Sequence, residues 1–258
     1  MAPREEAIPA LLEEHGGKLY RLAAKLCSSP EEAEDLVQET FMQAWRKWDQ
    51  FEGRSSPISW LYTIASRLCQ RFHRKRAGEP DHKLSLEEVA PFDSPQMPDY
   101  AGVLDSQVRR EGRERLEEAM VGLPIRYRLP LVLKEIVGLS YPDISAVLDV
   151  KEGTVKSRVH RGRMELRRAL EVALPSKPGV PAAYPRQVCL DLLQAKQEAM
   201  DKDLPFPAEV VCDRCASVFT SLDLAHDLCA QIGKGPMPRD LRHMILTRMQ
   251  EASSQPKN

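Results

Sequence analysis

Apolar residues recur every three to four positions along most of this chain, the signature of helices that bury one face. Leu11, Leu12, Leu19, Leu22, Ala23 and Leu26 fit one such face. Ser29-Pro30-Glu31-Glu32 then reads as a helix start, with Ser29 as the cap, Pro30 at the first helical position and acids in the first turn. The helix it opens carries Ala33, Leu36, Val37, Phe41, Ala44, Trp45 and Trp48 on one stripe. Phe51 to Pro57 reads as a loop, and another helix follows from about Ile58 to Arg76. The pattern breaks over 77–107. It resumes over 108–173, with interruptions at Gly122-Leu123-Pro124 and Gly138-Leu139-Ser140. It breaks again over 175–185 and returns over 186–250. No segment follows a strand period and no internal repeat is present, so the expected fold class is all-α.

Composition changes this picture little. The 258 residues suffice for about two domains, and 42% hydrophobic with 29% charged residues is an ordinary globular mixture. Six cysteines are too few for a disulfide scaffold, and no apolar run approaches the ~20 residues that span a bilayer. Met1 to Ala10 lacks the apolar stretch of a signal peptide. The expectation is a soluble cytoplasmic protein with reduced thiols. The net charge of −1 does not announce nucleic acid, but the distribution of charge does. Residues 77–107 hold four prolines and seven acids against one base, Lys83, and read as a mobile acidic linker. Pro175 to Pro185, with four prolines, reads as a second linker.

The sharpest local signal lies at 140–168. Ser140 is a good cap, Pro142 and Asp143 suit a first turn, and Ile144, Val147 and Leu148 give a short apolar face. Asp149-Val150 make a tight turn, and Glu152-Gly153-Thr154-Val155 opens a second helix running through Arg168. Two short helices joined this way form a helix-turn-helix, whose second helix enters the major groove. Residues 151–168 hold seven bases against Glu152 and Glu165, a local net of +5. Val155, Val159 and Leu166 are expected to face the core. Lys156, Ser157, Arg158, His160 and Arg161 are the candidates for phosphates and guanine edges. A solvated basic helix without a ligand is the competing reading, and the preceding short helix weighs against it.

These residues carry a resemblance. Leu123-Pro124, Arg128 to Leu133, Gly138-Leu139-Ser140-Tyr141-Pro142-Asp143-Ile144-Ser145 and Gly153-Thr154-Val155-Lys156-Ser157-Arg158-Val159-His160-Arg161 resemble the C-terminal domain of extracytoplasmic-function (ECF) sigma factors of the sigma-70 family. The resemblance implies that this element binds the promoter −35 region. The pattern departs at Pro142 to Ser145, conservatively. Residues 19–76 resemble the N-terminal domain of the same family, through Leu19-Tyr20-Arg21-Leu22-Ala23, Ala33 to Phe41, Trp45, Trp48 and Trp60 to Ala65. There the resemblance implies docking of the Asp35–Phe41 helix on core RNA polymerase, and capture of the −10 element by the loop and last helix.

Side-chain chemistry agrees with both roles. Asp35, Gln38 and Glu39 sit on the polar side of an otherwise apolar helix, a face suited to a basic partner. The last helix ends in Arg67, Arg71, Arg74, Lys75 and Arg76 without an acid from 66 to 76. With Arg54 and Ser55 in the loop, it suits an electrostatic groove for a single strand. Trp45, Trp48 and Trp60 are read as core packing. The acidic linker fits a solvated tether better than an RNA mimic.

The segment 186–250 is additional to the two sigma domains. Cys212-Asp213-Arg214-Cys215 with the remote Cys189 has the spacing of a zinc site. It resembles the zinc-binding helical fold of anti-sigma factors, in which a His precedes the pair by four residues. Ala208 stands there in this chain, which leaves Glu209 or water for the fourth ligand. Cys229 would lie about 21 Å beyond Cys215 on a helix read from Val210 to Cys229. A redox or metal-sensing thiol site and a metal-free helical fold remain open. Leu241, Met244, Ile245 and Met249 form an apolar stripe on a further helix, either a docking surface or the closure of the tail's own core.

The expected organisation is therefore a core-binding and −10 domain over 8–76, a linker over 77–107, a helix-turn-helix domain over 108–174, a linker over 175–185 and a regulatory tail over 186–250. The expected partners are core RNA polymerase, promoter DNA, and an anti-sigma factor or the chain's own tail. A DNA-binding response regulator or repressor would not need residues 19–76, and no receiver domain is present. An anti-sigma-like protein would not need the 174 residues before the tail. No phosphate loop, nucleophile elbow or HExxH motif speaks for an enzyme.

Overall fold

The computed structural model describes residues 2–75, 106–173, 181–207, 211–231 and 236–254. Both expected linkers lie mostly outside the described residues. Those described form ten α-helices and a short 3-10 turn, with no strand among them. The helices are α1 (Arg4–Leu26), α2 (Pro30–Lys47), α3 (Pro57–Lys75), α4 (Ser106–Gly122), α5 (Ile125–Glu135), α6 (Tyr141–Leu148), α7 (Glu152–Ala173), α8 (Arg186–Asp201), α9 (Asp213–Gln231) and α10 (Arg239–Ser254). The all-α class holds.

The chain divides into two compact units. The first holds α1, α2, α3, α5, α6, the opening turn of α7, and α10. Ser29 caps α2 by accepting from the Glu32 backbone N–H at 3.3 Å, while the Glu32 carboxylate accepts from the Ser28 N–H at 3.1 Å. These reciprocal bonds satisfy two donors that a helix start leaves open. The predicted stripe is buried throughout: Ala33, Leu36, Val37, Phe41, Ala44, Trp45 and Trp48 all lie in the core. Helix α1 packs on α2, α3 and α5, and α3 packs on α5 and α6. His73 sits among them, its Nε2 lying 3.1 Å from the Leu26 carbonyl and 3.4 Å from Arg128 Nη2.

The second unit holds α4, the remainder of α7 from Ser157, α8 and α9. Its core joins Met164 of α7 to Leu193 and Met200 of α8 and to Cys215, Val218, Phe219 and Leu222 of α9. Phe206 meets Phe219 edge to face at 5.2 Å, and Lys196 pairs with Asp223 at 2.7 Å. Helix α9 starts at Asp213 rather than at the expected Val210. Cys212 takes the cap position, its carbonyl accepting from the Ala216 N–H at 2.9 Å. Val218, Leu222, Ala225 and Cys229 share the buried stripe of α9 as expected.

Candidate nucleic-acid and polymerase interfaces

The helix-turn-helix is built by local bonds. Ser140 Oγ accepts from the Asp143 N–H at 3.3 Å and caps α6. Asp149 ends α6 in the left-handed region at φ 54°, a conformation that Asp tolerates better than most residues. Ser145 Oγ donates to the Val150 carbonyl at 2.6 Å and pins the turn. The Lys151 carbonyl then accepts from Thr154 and Val155 at 2.8 and 3.1 Å, and α7 begins. Lys134 and Lys156 lie over the Tyr141 ring at 5.0 and 5.6 Å.

Helix α7 carries its candidates unevenly. Val155, Val159 and Leu166 are buried as expected. Lys156 is exposed and pairs with Glu152 at 2.9 Å, while Ser157, Arg158 and Arg161 are half-buried. The Nε of Arg161 is buried without a hydrogen-bond partner among the described residues.

His160 departs from the expectation of an outward side chain. Its Nε2 lies 2.9 Å from Asp201 Oδ2 of α8, and the other oxygen of that carboxylate accepts from Arg163 Nη1 at 2.6 Å. His160 is 13% exposed and Asp201 8%. Asp201 of α8 supplies the anionic partner that the buried Arg163 guanidinium needs. Arg167 is also buried, bonded to Glu171. Burial draws its pKa down, against the pull of that carboxylate. Arg163 and Arg167 are therefore structural. The other bases of this stretch are more open, with Lys151, Lys156 and Arg168 exposed and Arg158 and Arg161 half-buried.

In the first unit, Asp35 is exposed on α2, and Glu39 is half-buried and bonded to Gln43 at 3.2 Å and Arg46 at 3.4 Å. Gln38 is buried, and its Oε1 accepts from Arg248 Nη1 of α10 at 2.7 Å. The loop after α2 rests on a cluster of three aromatics, of which Trp48 and Phe51 are stacked and Trp60 meets them edge-on and tilted. Trp48 and Phe51 lie 5.2 Å apart, and Trp60 lies 5.9 and 5.2 Å from them. Gly53 turns the loop at φ 71°, and Ser56 Oγ caps α3 by accepting from the Ser59 N–H at 3.2 Å. Arg54, Ser55, Arg67 and Arg71 are all exposed, and Arg54 pairs with Glu52. Arg67, Arg71 and Arg74 recur along one side of α3 at helical spacing. The side chain of Arg74 lies outside the description.

Cys189 and Cys212 are half-buried and Cys215 is buried, all three as free thiols. Burial, then the neighbouring Cys212 and Cys189, push the Cys215 thiol up to about 12. Burial also acts to raise Cys212, but the backbone of Cys215, Ala183 and Arg214 and the Cys215 thiol outweigh it and hold its pKa below the ordinary value. Among the described residues no group of three or more His, Cys, Asp or Glu side chains is set to hold a metal ion, although the Cys215 thiol is in hydrogen-bond contact with both Cys212 and Cys189. Ala208 and Glu209 lie outside the described residues.

Sequence reasoning did not find Asp201 or Arg248. Each is an ordinary charged residue within a polar run, and only its tertiary partner marks it.

A helix-turn-helix joined to a three-helix module with a basic last helix defines a helical DNA-binding transcription protein. The family descriptions agree: "Sigma-70 region 2" matches residues 11–79 and "Sigma-70, region 4" matches residues 113–166. The ECF RNA polymerase sigma factor SigW of Bacillus subtilis is 34% identical over 171 residues, covering 64% of this chain and 90% of that protein. The ECF RNA polymerase sigma factor SigE of Mycolicibacterium smegmatis is 35% identical over 159 residues, covering 61% of this chain and 59% of that one. The sigma factor RpoE of Bartonella quintana, solved with the anti-sigma factor NepR, is 31% identical and covers 64% of this chain and 97% of that one, with a TM-score of 0.46. The chain belongs to the ECF RNA polymerase sigma factors of the sigma-70 family. No helix among the described residues is long and apolar enough to cross a membrane.

Proposed function

We propose that this sigma factor docks core RNA polymerase through the Asp35, Gln38 and Glu39 face of α2. Arg54, Ser55, Arg67, Arg71 and Arg74 then hold the −10 strand, and the −35 element is read with Lys156, Ser157, Arg158 and Arg161 at the start of α7. It acts in the cytoplasm and carries out no catalytic step itself. The observation that carries this reading is the pairing, in one chain, of a basic reading helix with an acidic docking helix and an acid-free basic strand helix. A protein that only bound duplex DNA would need the first alone. Of the −35 candidates, His160 is held by Asp201 and joins only when α8 moves.

The segment 186–250 is proposed as a regulatory tail that resembles a zinc-binding anti-sigma domain. Cys189, Cys212 and Cys215 are its chemically responsive group, with zinc as the expected cofactor and Glu209 or water as the fourth ligand. Charge reversal of Asp35 and Glu39 to Lys tests the docking assignment. The double variant should keep its helical circular dichroism and lose binding to purified core polymerase. Normal co-purification with core would overturn it.

A further inference from the structure

The stripe of α10 does not close a core of the tail's own. Leu241, Ile245 and Met249 recur every four residues and are 2% exposed or less, while Met244 on the same helix is 42% exposed. Helix α10 packs on α2 and α1. Met237, just before it, fills a notch at Gly16 of α1, where an added Cβ would run into the Met237 methyl group. Arg242 pairs with Glu13 of α1, and Arg248 donates to Gln38 of α2.

We propose that α10 is an autoinhibitory latch, lying over the part of α2 that core RNA polymerase must grasp. The inference rests on the reading of α2 as the docking helix. Gln38 is flanked by Asp35 and Glu39 and shares their polar side, yet it is buried beneath Arg248, so polymerase and α10 compete for one surface.

The chemistry of the contact suits exchange. Gln38 Nε2 is buried without a hydrogen-bond partner among the described residues, so the latched state leaves one donor unsatisfied. Arg242 and Glu13 are about half exposed, where an ion pair holds weakly. The grip comes chiefly from Leu241, Ile245 and Met249, strengthened because a tethered helix acts at a high effective concentration, on the order of millimolar. Core polymerase, offering a larger surface to α2, displaces it.

The test uses the full chain and purified core polymerase. Ile245→Asp places a charge under the latch without touching α2, and Arg248→Ala removes the bond to Gln38 from an exchangeable surface position. Ile245→Asp should tighten core binding by about tenfold, the reciprocal of an open fraction of about one tenth in the parent. Arg248→Ala should tighten it by a smaller factor. In the parent, hydrogen exchange within α10 should accelerate when core binds. Unchanged or weaker core affinity in both variants, or α10 amides that stay protected in the complex, overturns the latch. If Ile245→Asp fails to fold, Arg248→Ala and the exchange measurement decide alone. Loss of core binding on reversing Asp35 and Glu39, without a gain from either α10 variant, defeats the latch and leaves the docking assignment standing. Intact binding after that reversal defeats the docking assignment itself.

Discussion

Cys69 shows how burial turns a single thiol into a pH-sensitive part of the fold. It lies in the core of the first unit, where burial first and then Cys27 push its pKa from the ordinary 9.0 to about 12, against the pull of Arg128. A thiol whose folded pKa is raised favours the folded state while it is protonated. That contribution is complete below about pH 9 and is lost as pH rises toward about 12. Tyr62, buried nearby in sequence, is pushed from 10.0 to about 12 and adds to the same alkaline loss. The denaturation midpoint of Cys69→Ala should therefore fall less steeply between pH 9 and 12 than that of the parent. Equal slopes would contradict the shift. At this scale the sequence showed that Leu36, Phe41, Val155 and Val159 are core, because periodicity alone sorts such residues. It did not show that Arg163 and Arg167 are buried. Their type argues for solvent, and only Asp201 and Glu171 reverse that.

Among the elements, α7 divides into two stretches with different duties. Lys156 near its start is exposed and pairs with Glu152 one turn before it, while His160 and Arg163 further along are tied to α8 through Asp201. Arg161→Ala should weaken promoter binding by roughly 1–3 kcal/mol and relax base preference at one −35 position, if its guanidinium bonds a base edge bidentately. Mobility-shift titrations against matched and single-substituted promoters measure both, and unchanged affinity with unchanged preference would remove Arg161 from the reading set. The starts of α2 and α6 were legible because a capping serine, a proline and an acid act within four residues. The start of α9 was not. An apolar Val210-Val211 pair continues the helical pattern, whereas the chain enters the helix only after Cys212.

For the whole molecule, the two family regions were readable because their motifs are local and run nearly unbroken. The tail was not, since α8 and α9 complete one unit while α10 belongs to the other, a division no window of sequence encodes. In the second unit, Cys215 is part of the same core as Met164 of α7, with Cys189 and Cys212 packed against it. A change at these thiols therefore reaches Met164 of α7 by direct packing, since close-packed cores pass on small displacements. The Cys212 thiol, lowered by backbone hydrogen bonding, is the more readily ionised of the CxxC pair, and Cys215, raised by burial, follows. If the three thiols, already in contact, bind zinc, the purified protein should hold it in near-stoichiometric amount, and Cys212→Ser with Cys215→Ser should lose it. Promoter-dependent run-off transcription should then differ between parent and double variant, and the parent's output should shift on chelation or thiol oxidation while the variant's does not. Cys212→Ser alone leaves the buried Cys215 in place and separates loss of the thiol from loss of packing. Identical transcription by all three proteins in zinc-replete, chelated, oxidised and reduced conditions would show that the thiols serve packing alone.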